Sequence, residues 1–229
     1  MQPDIVTNWS RTQPGFPWMT LLLMVLCVAM KLLHEFLSPL AQTALFEVAG
    51  MRPVLIAELW AAPVGEWLDG GILTLVTALF VHASWLHLAG NMAYLWVFGM
   101  PVERGIGPLG LLLVFLLGGA LGNLVVALRL ESFGAPVIGA SGAVSAVVGA
   151  YLALFPSRRM GLFLPLGLYL QFAQVPALLV IGSWFTLQLV YTVFDPMSTT
   201  VAWWTHLAGF TLGIMIALLA RAVAQIRLP

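Results

Sequence analysis

Charge is scarce in this sequence: Asp, Glu, Lys and Arg make up 8% of 229 residues, against 61% hydrophobic, where soluble domains carry about 25% charged residues. So few charges cannot coat a water-facing surface, and lipid is the expected main solvent. Nine basic residues balance nine acidic ones, which leaves no positive field of the kind that draws nucleic acid. Cysteine is nearly absent too. Cys27 stands alone in an apolar run, where it can form neither an intramolecular disulfide nor a Cys-based metal cluster, and it reads as a buried thiol. Also missing are low-complexity tracts, fixed-period repeats and any stretch polar enough for a soluble domain.

What the chain does have is apolar runs. Crossing a hydrocarbon core about 30 Å thick takes around 20 apolar residues per helix. Six segments approach that: 18–37, 86–102, 109–128, 140–155, 175–194 and 200–220. The expected fold is all-α, a six-transmembrane-helix bundle over residues 18–222, with a cytoplasmic N-terminal segment 1–17 and a cytoplasmic tail 223–229. The first run is longer than the ~7 to 15 residue core of a signal peptide, so it is expected to stay as a membrane helix. The fourth opens with Gly139-Ala140-Ser141-Gly142, small residues suited to a central helix shielded by the others.

Lys and Arg stay on the cytoplasmic side of a membrane protein. With the N-terminus inside, Arg11, Arg104, Arg158, Arg159, Arg221 and Arg227 are cytoplasmic, and Arg52 and Arg129 lie outside. The chain is then a multi-pass protein of the cell (inner) membrane with both ends in the cytoplasm. Lys31 falls near the outer end of the first helix beside His34 and Glu35, where snorkelling or pairing would accommodate it. The connection 38–83 is punctuated by Pro39, Pro53, Pro63, Gly65, Gly70 and Gly71 yet contains Trp60, Trp67 and Ile72, so it reads as a large, partly embedded outer loop, with a gate or lid as one role for it. Most of the tryptophans fall near the expected interfaces, as an aromatic belt does.

Polar side chains at membrane depth are functional candidates by default, because hydrocarbon offers them no partners. Three clusters qualify: His82, His87 and Asn91; Ser141; and His206, followed by Gly209 and Gly213. The last three share one helix face, and glycines there let a neighbouring helix come close. The fourth segment offers a matching small face in Gly142, Ser145, Ala146 and Gly149. Contact between those faces would bring Ser141 within about 2.6 to 3.2 Å of His206, a nucleophile beside its base. An imidazole with a pKa near 6.5 suits that role. His87 and Asn91, one turn apart, can aim at the oxyanion together with the Ser141 backbone N–H. His82 has two readings, orienting the loop or facing substrate. Asp195 is assigned no catalytic role, since it lies eleven residues before His206 and beyond the membrane edge.

The set resembles the rhomboid intramembrane proteases, whose pattern combines His-x4-His-x3-Asn, Gly-x-Ser-Gly and His-x2-Gly-x3-Gly on the second, fourth and sixth helices. Here these read His82 to Asn91, Gly139 to Gly142 and His206 to Gly213, in that order. The resemblance implies a six-helix bundle with a cavity open to the outside and no metal or organic cofactor. It also implies cleavage of other membrane proteins in or near a transmembrane segment, a Ser141–His206 dyad, and oxyanion or substrate contacts from His87, Asn91, Gly139 and His82. Gly142, Gly209 and Gly213 would serve packing, and Glu103 resembles the family's structural glutamate after the second helix. The pattern is departed from twice. Ser145 stands where many bacterial relatives have a tyrosine packed on the histidine, which would leave that packing to Trp203 or Phe210. The usual Trp-Arg pair of the outer loop is replaced by Trp67-Leu68.

Other functions fit less well. A non-catalytic rhomboid-like binder or chaperone of transmembrane helices usually lacks the serine or the histidine. A small transporter tends to have two related halves, and no such symmetry is visible. A lipase elbow is Gly-x-Ser-x-Gly on a strand-to-helix turn, whereas Ala143 is the second residue after Ser141.

Overall fold

The computed structural model describes residues 15–67, 71–166, 169–194 and 200–223. The polar segment 1–14, Asp195 and the tail from 224 onward lie outside the described residues.

The first apolar run forms α1 (Trp18–Phe36). Its N-terminus lacks a capping side chain of its own, and Glu103 supplies one from a distance. The Glu103 carboxylate accepts from Met19 N–H at 2.9 Å, Thr20 N–H at 2.8 Å and the Thr20 hydroxyl at 2.6 Å. A buried anion on orphan helix amides satisfies both partners. At the other end, Lys31 is buried and paired with Glu35 at 2.6 Å.

The long connection that follows contains more helix than its prolines suggest. Pro39 and Pro53 stand at the first positions of α2 (Pro39–Ala49) and α3 (Pro53–Ala61), where a missing N–H costs nothing. A short turn α4 (Thr74–Thr77) follows. Beneath them, Met51, Ile56, Leu75, Ala78, Val126 and Ala127 form a small second core, so this connection is packed rather than loose.

Next, α5 (Trp85–Tyr94) runs through a π-turn, Leu95–Gly99, into α6 (Met100–Arg129). Together they make a 45-residue apolar stretch; straight, it would extend roughly 68 Å at 1.5 Å per residue, more than twice the bilayer core. It is broken at Gly107 (φ 79°, ψ 168°) just before Pro108. Proline disfavours helical backbone in the residue before it, and glycine accepts the positive φ. On the far half, Leu109, Leu113, Leu117 and Leu121 are exposed at every fourth position, a lipid-facing stripe.

Helix α7 (Ser141–Leu154) is buried along almost its whole length. It packs between α6 and α9 (Thr200–Val223). Glycine sets the closeness. A Cβ at Gly209 would strike the Gly142 carbonyl, one at Gly213 the Ala146 carbonyl, and one at Gly118 the Ala146 methyl. The pairings run in the same direction for α7 and α9 and in opposite directions for α6 and α7. The main core, around Leu23, Leu79, Leu95, Phe115 and Val147, fills the space between these helices and α1.

One element corrects the all-α expectation. Between α7 and α8 (Ala177–Phe194), β1 (Arg159–Leu166) pairs antiparallel with β2 (Tyr169–Pro176), Arg159 opposite Pro176 and Leu166 opposite Tyr169. Outside Arg159, Gln171 and Gln174 both strands are apolar, and the two glutamines stand three apart, so the period-two alternation that marks a half-buried strand is missing from the sequence.

Among the described residues, three segments are long and apolar enough to cross a membrane: Trp18–Phe36, Trp85–Arg129 and Trp203–Ala222; Ser141–Leu154 and Ala177–Leu187 are shorter apolar helices.

Candidate active site

The site sits where the start of α5, the start of α7 and the first turns of α9 meet. Ser84 caps α5, its hydroxyl accepting from the His87 N–H at 3.1 Å, as serine does at helix starts. His82, 1% exposed, lies just before this cap. Its Nδ1 is 3.3 Å from the Phe80 carbonyl, and its Nε2 accepts from the Ala140 N–H at 3.4 Å. A neutral ring with its proton on Nδ1 satisfies both contacts. The His87 ring lies edge-on to it, centroids 5.2 Å apart.

Gly139 lies directly against His87. Its N–H donates to the Ala78 carbonyl at 2.9 Å, its φ is 121°, and a Cβ there would fall 2.6 Å from Cε1 and 2.9 Å from Nε2 of the His87 ring. Glycine is required for both conformation and space. One helical turn beyond His87, Asn91 is buried, and its Nδ2 has no hydrogen-bond partner among the described residues. Buried donors without partners are rare in folded chains.

Ser141 is the first residue of α7 and half-buried. Its carbonyl accepts from the Ser145 hydroxyl at 2.7 Å, so the residue in the usual tyrosine position bonds back to the serine it follows. The amides of this first turn are not used within the helix and carry the positive end of its dipole. A Cβ on the next residue, Gly142, would lie 3.4 Å from Thr205 Cβ, and Thr205 immediately precedes His206. The glycine contacts thus bring the chain at Ser141 and the chain at His206 together.

The His206 ring lies beside two tryptophans: Trp203 edge-on at 5.9 Å and Trp184, from α8, at 6.3 Å. Trp203 thus takes the packing place that the sequence leaves to Trp203 or Phe210. Phe210 instead packs on Trp184 at 6.2 Å and Phe185 at 4.6 Å. Trp184 carried no signal in the sequence, because contact across two helices depends on how they cross. Buried Asn123, whose Nδ2 donates to the Leu75 carbonyl at 2.9 Å, carries its signal in the sequence as a polar residue inside an apolar run. Glu103 lies at the opposite end of the bundle, with the start of α1.

Comparison with known proteins places the chain in a family. A family model described as the Rhomboid domain matches residues 69–223. The chain is similar to the rhomboid protease GlpG of Enterobacter sp. (strain 638), 26% identical over 86% of this chain and 61% of that protein. It also resembles Rhomboid-like protein 11, chloroplastic, of Arabidopsis thaliana, 48% identical over 30% of this chain and 24% of that protein. A third relative is the human presenilin-associated rhomboid-like protein, mitochondrial, 29% identical over 53% of this chain and 32% of that protein. The chain therefore spans less than two thirds of the length of each. The matched region runs from before His82 to beyond Gly213, over more than half of the sequence, and the chain belongs to the rhomboid family of membrane proteins.

Proposed function

We propose that the chain is an intramembrane serine endopeptidase that hydrolyses peptide bonds in or near transmembrane segments of other membrane proteins. Ser141 is the nucleophile and His206 the general base. The observation that carries this reading is the carbonyl-to-glycine contact of α7 and α9, which brings the start of the serine's helix against the residue before the histidine. The Ser141 Oγ attacks the scissile carbonyl carbon while its proton passes to His206. The oxyanion is received by the His87 ring, the unpartnered Asn91 amide and the first amides of α7. His206 then protonates the leaving amine, and a water deprotonated by His206 hydrolyses the acyl-enzyme. His82 and Gly139 hold these donors in place.

In this reading the 45-residue stretch folds back at Gly107 to cross twice, and α7 and α8 cross as shorter helices, giving six passes. Arg104, Arg158, Arg159 and Arg221 share the Glu103 end, while Arg52, which donates to the Gly134 carbonyl, and Arg129, over Trp204, share the site end. The majority favours a cytoplasmic Glu103 end, and so a site opening on the outer side.

The test is proteolysis by the full chain reconstituted in lipid vesicles with a labelled single-span substrate. Wild type should cleave, and Ser141→Ala and His206→Ala should each lose at least about 1,000-fold in rate with helicity unchanged. No cleavage by wild type over a varied substrate panel, or equal cleavage by all three, would replace proteolysis with the binding of transmembrane helices.

A further inference from the structure

The proteolytic reading makes no use of the chain's single lysine. Lys31 is 2% exposed in the last turns of α1, a costly place for a charge, yet every donor it carries has an acceptor. Its Nζ lies 2.6 Å from Glu35 Oε1, 3.2 Å from the Ala83 carbonyl and 3.5 Å from His34 Nδ1, with the Trp85 ring 5.8 Å away. An ammonium has three N–H donors, and these three acceptors fix its direction. Beyond it, the His34 ring is stacked on Phe46 of α2 at 4.7 Å.

The carbonyl that Lys31 grips belongs to the residue between His82 and Ser84. On one side, His82 accepts from the amide beside Ser141; on the other, Ser84 caps the amide of His87. His82 and His87 both hang from one short turn, and the only side chain reaching the carbonyl at its centre from another helix, among the described contacts, is Lys31. Resting on the proteolytic reading above, we infer that Lys31 is a positioning residue: held by Glu35, it fixes the His82–Ser84 turn and through it the donors that receive the oxyanion. It touches neither substrate nor reacting atoms.

A residue that acts through His87 loses its effect when His87 is gone. Lys31→Met should lower kcat about tenfold with KM within about twofold of wild type, but change kcat by less than about twofold in a His87→Ala background. Lys31→Arg, which keeps the cation and a donor, should restore most of the rate. Equal losses in both backgrounds, or a loss confined to KM, would overturn the assignment. Amide exchange gives a readout that needs no proteolysis. The segment 81–88 should exchange faster in Lys31→Met, with α7 and α9 unaltered, and unchanged exchange there would overturn the claim as well. A wild type that cleaves nothing would instead remove the proteolytic reading, and exchange alone would then report whether Lys31 holds the turn.

Discussion

The most direct probe of the proposed oxyanion donors is a single methyl group placed at Gly139. Gly139→Ala has two effects of different kind. The backbone must keep a φ of 121° that alanine avoids, at a stability cost of about 1 to 3 kcal/mol. The new Cβ would also lie 2.6 Å from the His87 ring, and reaching an ordinary carbon contact near 3.4 Å pushes the ring aside by about 0.8 Å. A hydrogen bond to an oxyanion works over about 2.7 to 3.1 Å, so a shift of that size removes the His87 donor. The expected loss in kcat is about 100- to 1,000-fold, the typical cost of one such donor, and His87→Ala should match it. The double variant should be little worse than either. Gly134→Ala is the control: it lies in the same loop with nothing within 4 Å of its added methyl. The assay is cleavage by the reconstituted chain, with unfolding followed in parallel to separate the stability cost from the catalytic one. A Gly139→Ala variant that is destabilised yet keeps kcat within about threefold of wild type would refute the role given to His87.

Further outcomes follow from other contacts. Gly213→Ala puts a methyl into the Ala146 carbonyl, so α7 and α9 must separate; a destabilisation of about 1 to 3 kcal/mol and a loss of about 100-fold in rate are expected, whereas Gly122→Ala, with 3.3 Å to the Thr205 carbonyl, should unfold within about 1 kcal/mol of wild type because helix propensity offsets the tight fit. Glu103→Ala strands the Met19 and Thr20 amides and should cost about 2 to 4 kcal/mol, read by denaturant unfolding in mixed micelles, with the activity of the folded fraction kept. Trp184→Ala removes one of the two rings beside His206 and should lower kcat about two- to tenfold, the worth of an aromatic pair; Trp184→Phe should recover most of it, and equal loss in both would show that ring contact is not what matters.

Much of the architecture could be read from hydropathy, because membrane helices announce themselves by length. The observed α1 and α7 fall within a residue or two of the runs that predicted them, and the gap between 102 and 109 contains the Gly107 break. The glycine spacing of Gly209 and Gly213 reads directly as close approach, since a methyl at either has no room. The β1–β2 hairpin was not legible because its strands, apolar apart from Arg159, Gln171 and Gln174, lack the alternation that marks a half-buried strand. The two short helices of the outer connection were hidden by prolines that start helices as readily as they end them. Trp184 beside His206 was illegible for a different reason: it depends on the crossing of α8 over α9, which no local pattern encodes. Lys31 stood out as a charge in an apolar run, but its target, the Ala83 carbonyl 52 positions away, is a backbone atom with no sequence signature.

The Glu103 cap also bears on how the chain is made. The amides that it satisfies are 83 and 84 residues earlier in the chain, and ribosomes add about 5 to 20 residues per second. For roughly 4 to 17 seconds, by that rate, the first helix exists with its leading turn uncapped. During synthesis, α1 is held in the bilayer by hydropathy alone and becomes anchored only when the glutamate emerges. Glu103→Ala keeps α1 in that uncapped state for good, so the variant should be turned over faster than wild type when the two are expressed side by side.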